Sequence, residues 1–203
     1  MNSNNLTFGD LIKDLDSLRK FHVHVIGDTI VDTYTRTSLI GGQTKTPTYS
    51  VLYNEKDDYV GGAGIVSKHI KAAGAKVSFS TVLGNDEFKN FVKKDLKNMR
   101  INFYPIIDTS RPTTNKNAII AAGYRLLKID KLDNSIISEK ILKKLILSIK
   151  KTKADAYVLC DFRHGIFDSN NVREIYKHLP KKSFKVADSQ VASRWGNISD
   201  FLN

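Results

Sequence analysis

The sequence is poor in the residues that build small stapled or metal-held folds: one cysteine, one tryptophan, two methionines and four prolines among 203 residues. A single cysteine, Cys160, excludes an internal disulfide framework and leaves a Cys-based zinc site without ligands, which suits a reducing compartment. No apolar run approaches the roughly 20 residues that a membrane-spanning helix requires. The opening residues, MNSNNLTFGD, contain no basic segment followed by an apolar stretch, so they do not read as a signal peptide. Internal repeats and low-complexity segments are missing too. Together these absences predict a cytoplasmic protein. What is present is an ordinary globular composition, 41% hydrophobic and 26% charged, which excludes a disordered tail or a collagen-like chain. At roughly 100–200 residues per domain, the length fits one domain or one plus a small appendage.

Charge is unbalanced, with 32 Lys+Arg against 21 Asp+Glu and a formal net charge of +11. A basic surface can be a nucleic-acid footprint. The lysines, however, are spaced along segments of helical period (Lys89, Lys93, Lys94, Lys97; Lys140, Lys143, Lys144, Lys150, Lys151, Lys153) and are not interleaved with aromatics. No zinc-finger, basic-zipper or RNA-recognition pattern accompanies them. Solvated helix faces are therefore the favoured reading and nucleic acid the disfavoured one. An anionic small substrate is a third reading, and it needs only two or three of these charges.

The apolar period switches repeatedly between two and about 3.6, the signature of an α/β chain. Leu11, Leu15 and Leu18 predict a short first helix. His22–Gly27 reads as a strand ending in a turn at Gly27-Asp28. A helix from Gly62 to Ala73 and a strand over Lys76–Leu83 follow. Gly84-Asn85-Asp86 is expected to cap the next helix, which runs to about Met99. Ile101–Ile107 reads as a strand, and Ser138 caps a helix carrying Ile141, Leu142, Leu145, Ile146 and Ile149. Ala156–Asp161 is a continuous apolar strand of the kind buried on both faces of a parallel sheet. A helix near Asn171–His178 and a strand at Phe184–Asp188 complete the series. Strands alternating with helices imply right-handed crossovers and an open twisted sheet. Two stretches do not fit that sheet, Thr33–Val60 and Thr113–Asp130, and both are expected to form a small secondary sheet.

In open α/β sheets ligands bind at the carboxyl ends of strands. Asp28, Asp32, Asp161 and Asp188 all follow predicted strands. One such aspartate is usually a turn or helix cap, but finding them at three strand ends points to a site. Gly61-Gly62-Ala63-Gly64 precedes a helix, where glycines let the backbone approach a ligand and free N–H groups favour an anion. A tight turn explains the same residues. The pattern is neither G-x-G-x-x-G nor G-x-x-x-x-G-K-[ST], so a dinucleotide or Walker-type site is disfavoured. His22 and His24 share one side of a strand but have no partner pair for a metal. Cys160 within an apolar strand reads as an inert thiol. Tyr34, Tyr49, Tyr53 and Tyr59 cluster in the Thr33–Val60 stretch, as a ligand lid or a small apolar core would require.

VIGDTIVDTY (Val25–Tyr34), GGAGIVSKHIKAAGAKVSFSTVLGND (Gly61–Asp86), RPTTNKNAII (Arg111–Ile120), YRLLKID (Tyr124–Asp130) and AYVLCDFRHG (Ala156–Gly165) occur in an order that resembles the ribokinase-like (PfkB) sugar kinases. More narrowly, they resemble the kinase part of bifunctional heptose-phosphate kinase/adenylyltransferases. The resemblance implies a mostly parallel sheet flanked by helices, with a β lid over about residues 33–60 and 113–130. It implies ATP-dependent phosphorylation of a sugar or sugar phosphate, with magnesium. Asp32 would bind sugar hydroxyls, and the Gly61-Gly62 backbone would approach the sugar. Lys116, Arg125 and Lys128 would hold the substrate's existing phosphate, and Asp161 would lie near the sugar or the transferring phosphoryl group. Asp188, Arg194 and Trp195 loosely match an Asp…Arg…Trp pattern near the nucleotide phosphates. A homodimer paired through the lid is one oligomeric state the resemblance allows.

Three departures qualify the likeness. Ile65 stands where the family places a sugar-binding asparagine. The family's D-Y-x-K-G is Asp161-Phe162-Arg163-His164-Gly165. No G-A-G-D, whose aspartate is the general base in such kinases, occurs in the 203 residues. The expectation is therefore a substrate-side portion of a kinase domain without its own base. A non-catalytic sugar-phosphate-binding protein is the rival reading.

Overall fold

The computed structural model describes residues 7–41, 48–190 and 198–201. Along the chain run α1 (Phe8–Ser17), β1 (His22–Gly27), β2 (Thr29–Gly41), β3 (Ser50–Gly62), α2 (Ala63–Ala72), β4 (Lys76–Leu83) and α3 (Glu87–Asn98). Then follow β5 (Asn102–Ile107), β6 (Thr114–Ala121), β7 (Tyr124–Lys131), α4 (Glu139–Lys150), β8 (Ala156–Asp161), α5 (Ser169–Lys177) and β9 (Phe184–Ser189). Two sheets result, one ordered β5-β4-β1-β8-β9 and the other β3-β2-β6-β7. Every pairing in the first sheet is parallel. In the second, β2 pairs antiparallel with β3 and parallel with β6, and β6 pairs antiparallel with β7.

Period-two alternation divides the core. Val25, Ala63, Phe79, Val92 and Leu96 form one apolar cluster, between the parallel sheet and α2 and α3. Ile26, Leu145, Ile149, Leu159 and Ile175 form the other, under α4 and α5. Neighbouring β1 residues thus serve opposite faces, as pleated strands dictate. Burial of each such side chain stabilises by about 1.5–3 kcal/mol. Polar residues inside β1 are matched across the ladder: His22 Nε2 and His24 Nε2 each lie 2.9 Å from a serine hydroxyl, Ser78 and Ser80. The Cys160 thiol is buried and pushed up to about 12 by desolvation, with Asp188 and Asp28 adding to it.

Most predicted elements are found within a residue or two of their expected ends. Three details differ. The expected turn at Gly27-Asp28 is a one-residue joint, Asp28, beyond which the chain enters the second sheet at Thr29. That sheet therefore starts before Thr33 and runs past Val60 to Gly62, because β2 and β3 pair along their whole length. Asp86 stands at the N-cap of α3 without a side-chain capping bond. Its carboxylate instead accepts from Thr113 N and Thr113 Oγ1, both at 2.8 Å, tying α3 to the entry of β6. Ser138 does cap α4, accepting from Ile141 N. Among the described residues no helix is long and apolar enough to cross a membrane.

Candidate active site

The two sheets meet where β1 passes through Asp28 into β2 and where β3 ends at Gly61-Gly62. Ala63 N donates to the Asp28 carbonyl at 2.8 Å, opening α2 beside the joint. Gly62 has φ +58, and a Cβ there would run into the Asp28 carbonyl oxygen. Only glycine meets both conditions cheaply. A Cβ at Gly61 would collide instead with the Asp32 carboxylate. The glycine pair thus lets Asp32 lie over the β3 backbone.

Register sets the rest of the cleft. Across the second sheet Asp32 is opposite Lys116, which is opposite Asp130; Tyr34 is opposite Ala118, which is opposite Lys128. All six share one face. A shift in the β6–β7 ladder, at Ile119/Ile120, leaves Leu126 as an extra residue and puts Arg125 opposite Ile120. The bulge returns Arg125 to the face of Lys128, which strict alternation over three positions would forbid. Asp32, Thr33, Tyr34, Lys116, Ala118, Arg125 and Lys128 line a cleft of about 190 Å³. Lys128 Nζ lies 3.1 Å from Asp130 Oδ2. Three cations thus face two carboxylates, an excess of positive charge. Desolvation raises the Asp32 carboxyl above its ordinary value, against the pull of Lys116, Lys128 and Arg125. Tyr34 meets Tyr59 edge-on, ring centroids 5.7 Å apart, and Tyr49, Tyr53 and Tyr59 are all exposed.

On the body side the loop after β8 closes around Asp28. The Asp28 carboxylate accepts from Phe162 N, His164 N and Ile166 N at 2.9, 3.2 and 3.4 Å. Burial lifts its pKa to about 7, the three N–H donors opposing and Asp161 assisting. Arg111 Nε meets Asp108 Oδ2 at 3.0 Å in a buried pair. Burial would raise the Asp108 carboxyl, but bonds from Ser110 and Arg111 outweigh it and hold it low.

Asp32, Lys116, Arg125 and Lys128 therefore converge, with Gly61 beneath Asp32 and Gly62 at the joint. The two glycines are themselves buried. Asp161 is buried elsewhere, its oxygens taken by Arg163 N, Arg163 Nη1 and Ser189 Oγ. Asp188 is exposed on β9, and Ile65 is half-buried on α2. Arg194 and Trp195 lie outside the described residues. Sequence reasoning underrated Asp28 as a structural hub and missed Asp130. Asp130 could have been found from its two-residue spacing to Lys128.

A family model described as pfkB family carbohydrate kinase matches residues 20–176. Among curated proteins, the bifunctional protein HldE of Sulfurimonas denitrificans is 31% identical over 178 residues, covering 86% of this chain and 37% of its own length. That of Aliarcobacter butzleri is 28% identical over 171 residues, covering 83% and 36%. The chain thus spans little more than a third of these relatives. Among solved structures, Escherichia coli phosphofructokinase-2 with substrates and products superposes with a TM-score of 0.65 at 12% identity, over 83% of this chain and 54% of that one. Arabidopsis thaliana ribokinase with ribose and ATP gives 0.57 at 12% identity, over 85% and 54%. The parallel sheet with its second, smaller sheet is the fold of these sugar kinases, and by the match over residues 20–176 the chain belongs to the pfkB family of carbohydrate kinases.

Proposed function

We propose that this chain forms the acceptor side of an ATP-dependent sugar kinase and binds an anionic sugar, a sugar phosphate of the heptose 7-phosphate kind, in the cleft over the second sheet. The convergence of one carboxylate with three cations in about 190 Å³ carries this reading. Ligand pockets usually run to roughly 300–1,000 Å³; the smaller cleft suits one sugar unit and not a whole nucleotide. Asp32 accepts hydrogen bonds from sugar hydroxyls, with the positive charge of Lys116 opposite it on β6. Lys116, Arg125 and Lys128 hold the phosphate through charge-assisted bonds, with arginine able to contact two oxygens at once. The second sheet acts as a lid that positions the acceptor hydroxyl and excludes water from it, the main demand of phosphoryl transfer. The family implies Mg-ATP as donor. Among the described residues no group of three or more His, Cys, Asp or Glu side chains is placed to hold a metal ion.

Calorimetric titration of the 203-residue chain with heptose 7-phosphate, paired with an ATP-dependent phosphorylation assay, tests the reading. Saturable binding with Asp32→Ala abolishing it, and melting temperature kept, is the expected result. Turnover by this chain alone would overturn its assignment as an acceptor side lacking the base. Equal affinity for DNA and for the sugar phosphate, falling steeply with salt, would favour the basic-surface alternative.

A further inference from the structure

The first helix of the chain carries an apolar stripe that none of the described residues covers. Phe8, Leu11, Ile12 and Leu15 recur at helical spacing along α1, and they are 76%, 42%, 47% and 48% exposed. No residue of α1 is buried. The start of the helix is nevertheless fixed by its own sequence. Thr7 and Asp10 form a reciprocal capping box, the Thr7 hydroxyl accepting from Asp10 N and the Asp10 carboxylate accepting from Thr7 N. A helix of this length draws most of its stability from packing an amphipathic face, and here that face is bare. Its borders are acidic. One turn further along, Asp14 lies beside Leu11 and Asp16 beside Ile12. From Phe8 to Ser17 three aspartates stand against one lysine.

The body offers a groove of the opposite sign. Arg173, Tyr176 and Lys177 of α5, Leu179 and Lys181 of the segment after it, and Lys185 of β9 line a groove of about 510 Å³. None of the six is acidic. Lys185 Nζ stands 5.8 Å from the centroid of the Tyr176 ring. Of the four cations, Lys177 alone has a carboxylate partner among the described residues, Glu174 at 2.8 Å. Apolar lining with unpaired cations complements an apolar stripe bordered by aspartates. The groove between α4 and α5 fits less well, because Glu139 and Glu174 line it. A lipid surface fits less well too, since anionic headgroups would meet Asp14 and Asp16. The groove beside β9 shares no residue with the cleft over the second sheet.

We propose that α1 of one copy of this chain seats in the groove between α5 and β9 of a second copy, its apolar stripe on Tyr176 and Leu179 and its bordering aspartates against Arg173 and Lys181. In a two-fold pair the contact is made twice, each copy giving a helix and receiving one. Sedimentation of the wild-type chain across the micromolar range, at low and at high salt, tests the pairing. The expected result is a dimer that weakens as salt rises. Leu11→Asp combined with Leu15→Asp should weaken it at least about a hundredfold. Asp14→Lys with Asp16→Lys should weaken it about tenfold or more, as should Arg173→Glu with Lys181→Glu. An equal mixture of these two charge variants should pair as tightly as wild type, because every contact in the mixed dimer again joins opposite signs. All the substituted positions are exposed, so the variants keep the fold. A wild type that stays monomeric throughout the range would overturn the proposal. A dimer indifferent to the α1 variants but broken by Leu127→Lys would also overturn it, placing the interface on the second sheet. A mixture that does not pair would remove the groove as the seat of the helix. Flotation of the wild type with vesicles of phosphatidylcholine and phosphatidylserine, lost in the Leu11→Asp, Leu15→Asp variant, would assign the stripe to a membrane instead.

Discussion

Lys116 on β6 and Lys128 on β7 stand on the two strands to one side of Asp32, and the work of each is separable from folding because both side chains line the cleft. Removing either by substitution with alanine is expected to weaken heptose 7-phosphate by about ten- to a hundredfold, the range for a charge-assisted hydrogen bond. The melting temperature should stay nearly constant, and calorimetry beside a thermal scan checks both. Asp28 behaves oppositely, as a stability residue. An unfolded aspartate releases its proton near pH 4, whereas buried Asp28 holds its own until about pH 7. Between those values the folded state carries the extra proton, so stability falls as pH rises through the window. Urea denaturation at pH 5 and pH 8 should show a larger loss for wild type than for Asp28→Asn, which cannot titrate there. An equal pH slope in both proteins would remove Asp28 as its source. The motif spacing marked Asp28 and Asp32 alike as residues after a strand; only their surroundings assign one to the loop amides and the other to the cleft.

At the scale of elements, the end of β3 explains why two glycines stand together. Gly62 needs its positive φ and has the Asp28 carbonyl where a Cβ would go. Gly62→Ala should cost at least about 1 kcal/mol, which for a chain of this size lowers the melting temperature by roughly 2–4 °C or more. Gly61 has φ in the ordinary region, and its neighbour in that direction is the movable Asp32 carboxylate. Gly61→Ala should therefore displace Asp32 and weaken sugar-phosphate binding while changing the melting temperature little. Comparable loss of stability in both variants would show that the pair serves packing alone. The pattern Gly61-Gly62 before a helix was visible in the sequence, but the division of labour within it was not. The same holds for β7, where Arg125 and Lys128 belong to one face only because Leu126 is bulged out of the ladder.

For the molecule as a whole, the chain passes between the body and the smaller sheet four times, directly at Asp28 and Gly62 and through residues 108–113 and 132–138, and much of that sheet is exposed. Every residue of β7 is exposed, while β1 and β4 are buried at most positions. Amide exchange is expected to be faster in β3 and β7 than in β1, β4 and β8, and heptose 7-phosphate should slow it in the second sheet first. Uniform protection in both sheets would rule out a mobile lid. Leu39, Leu52, Leu127 and Ile129 are each at least half exposed on that sheet, and sedimentation of the chain, with Leu127→Lys as the disrupting variant, tests whether a homodimer pairs there. Taken by itself, the sequence determined the alternation of strands and helices, the two stretches outside the main sheet, the family, and the charged residues of the cleft, because apolar period, turn residues and motif order are local properties of a chain. Tertiary structure alone decided that Asp161 accepts from Arg163 and Ser189, that a bulge turns Arg125 inward, and that the loop amides after β8 close on Asp28. Register, burial and the pairing of polar atoms depend on segments more than a hundred residues apart in sequence, as Asp28 and His164 are, and no local pattern encodes which of them will meet.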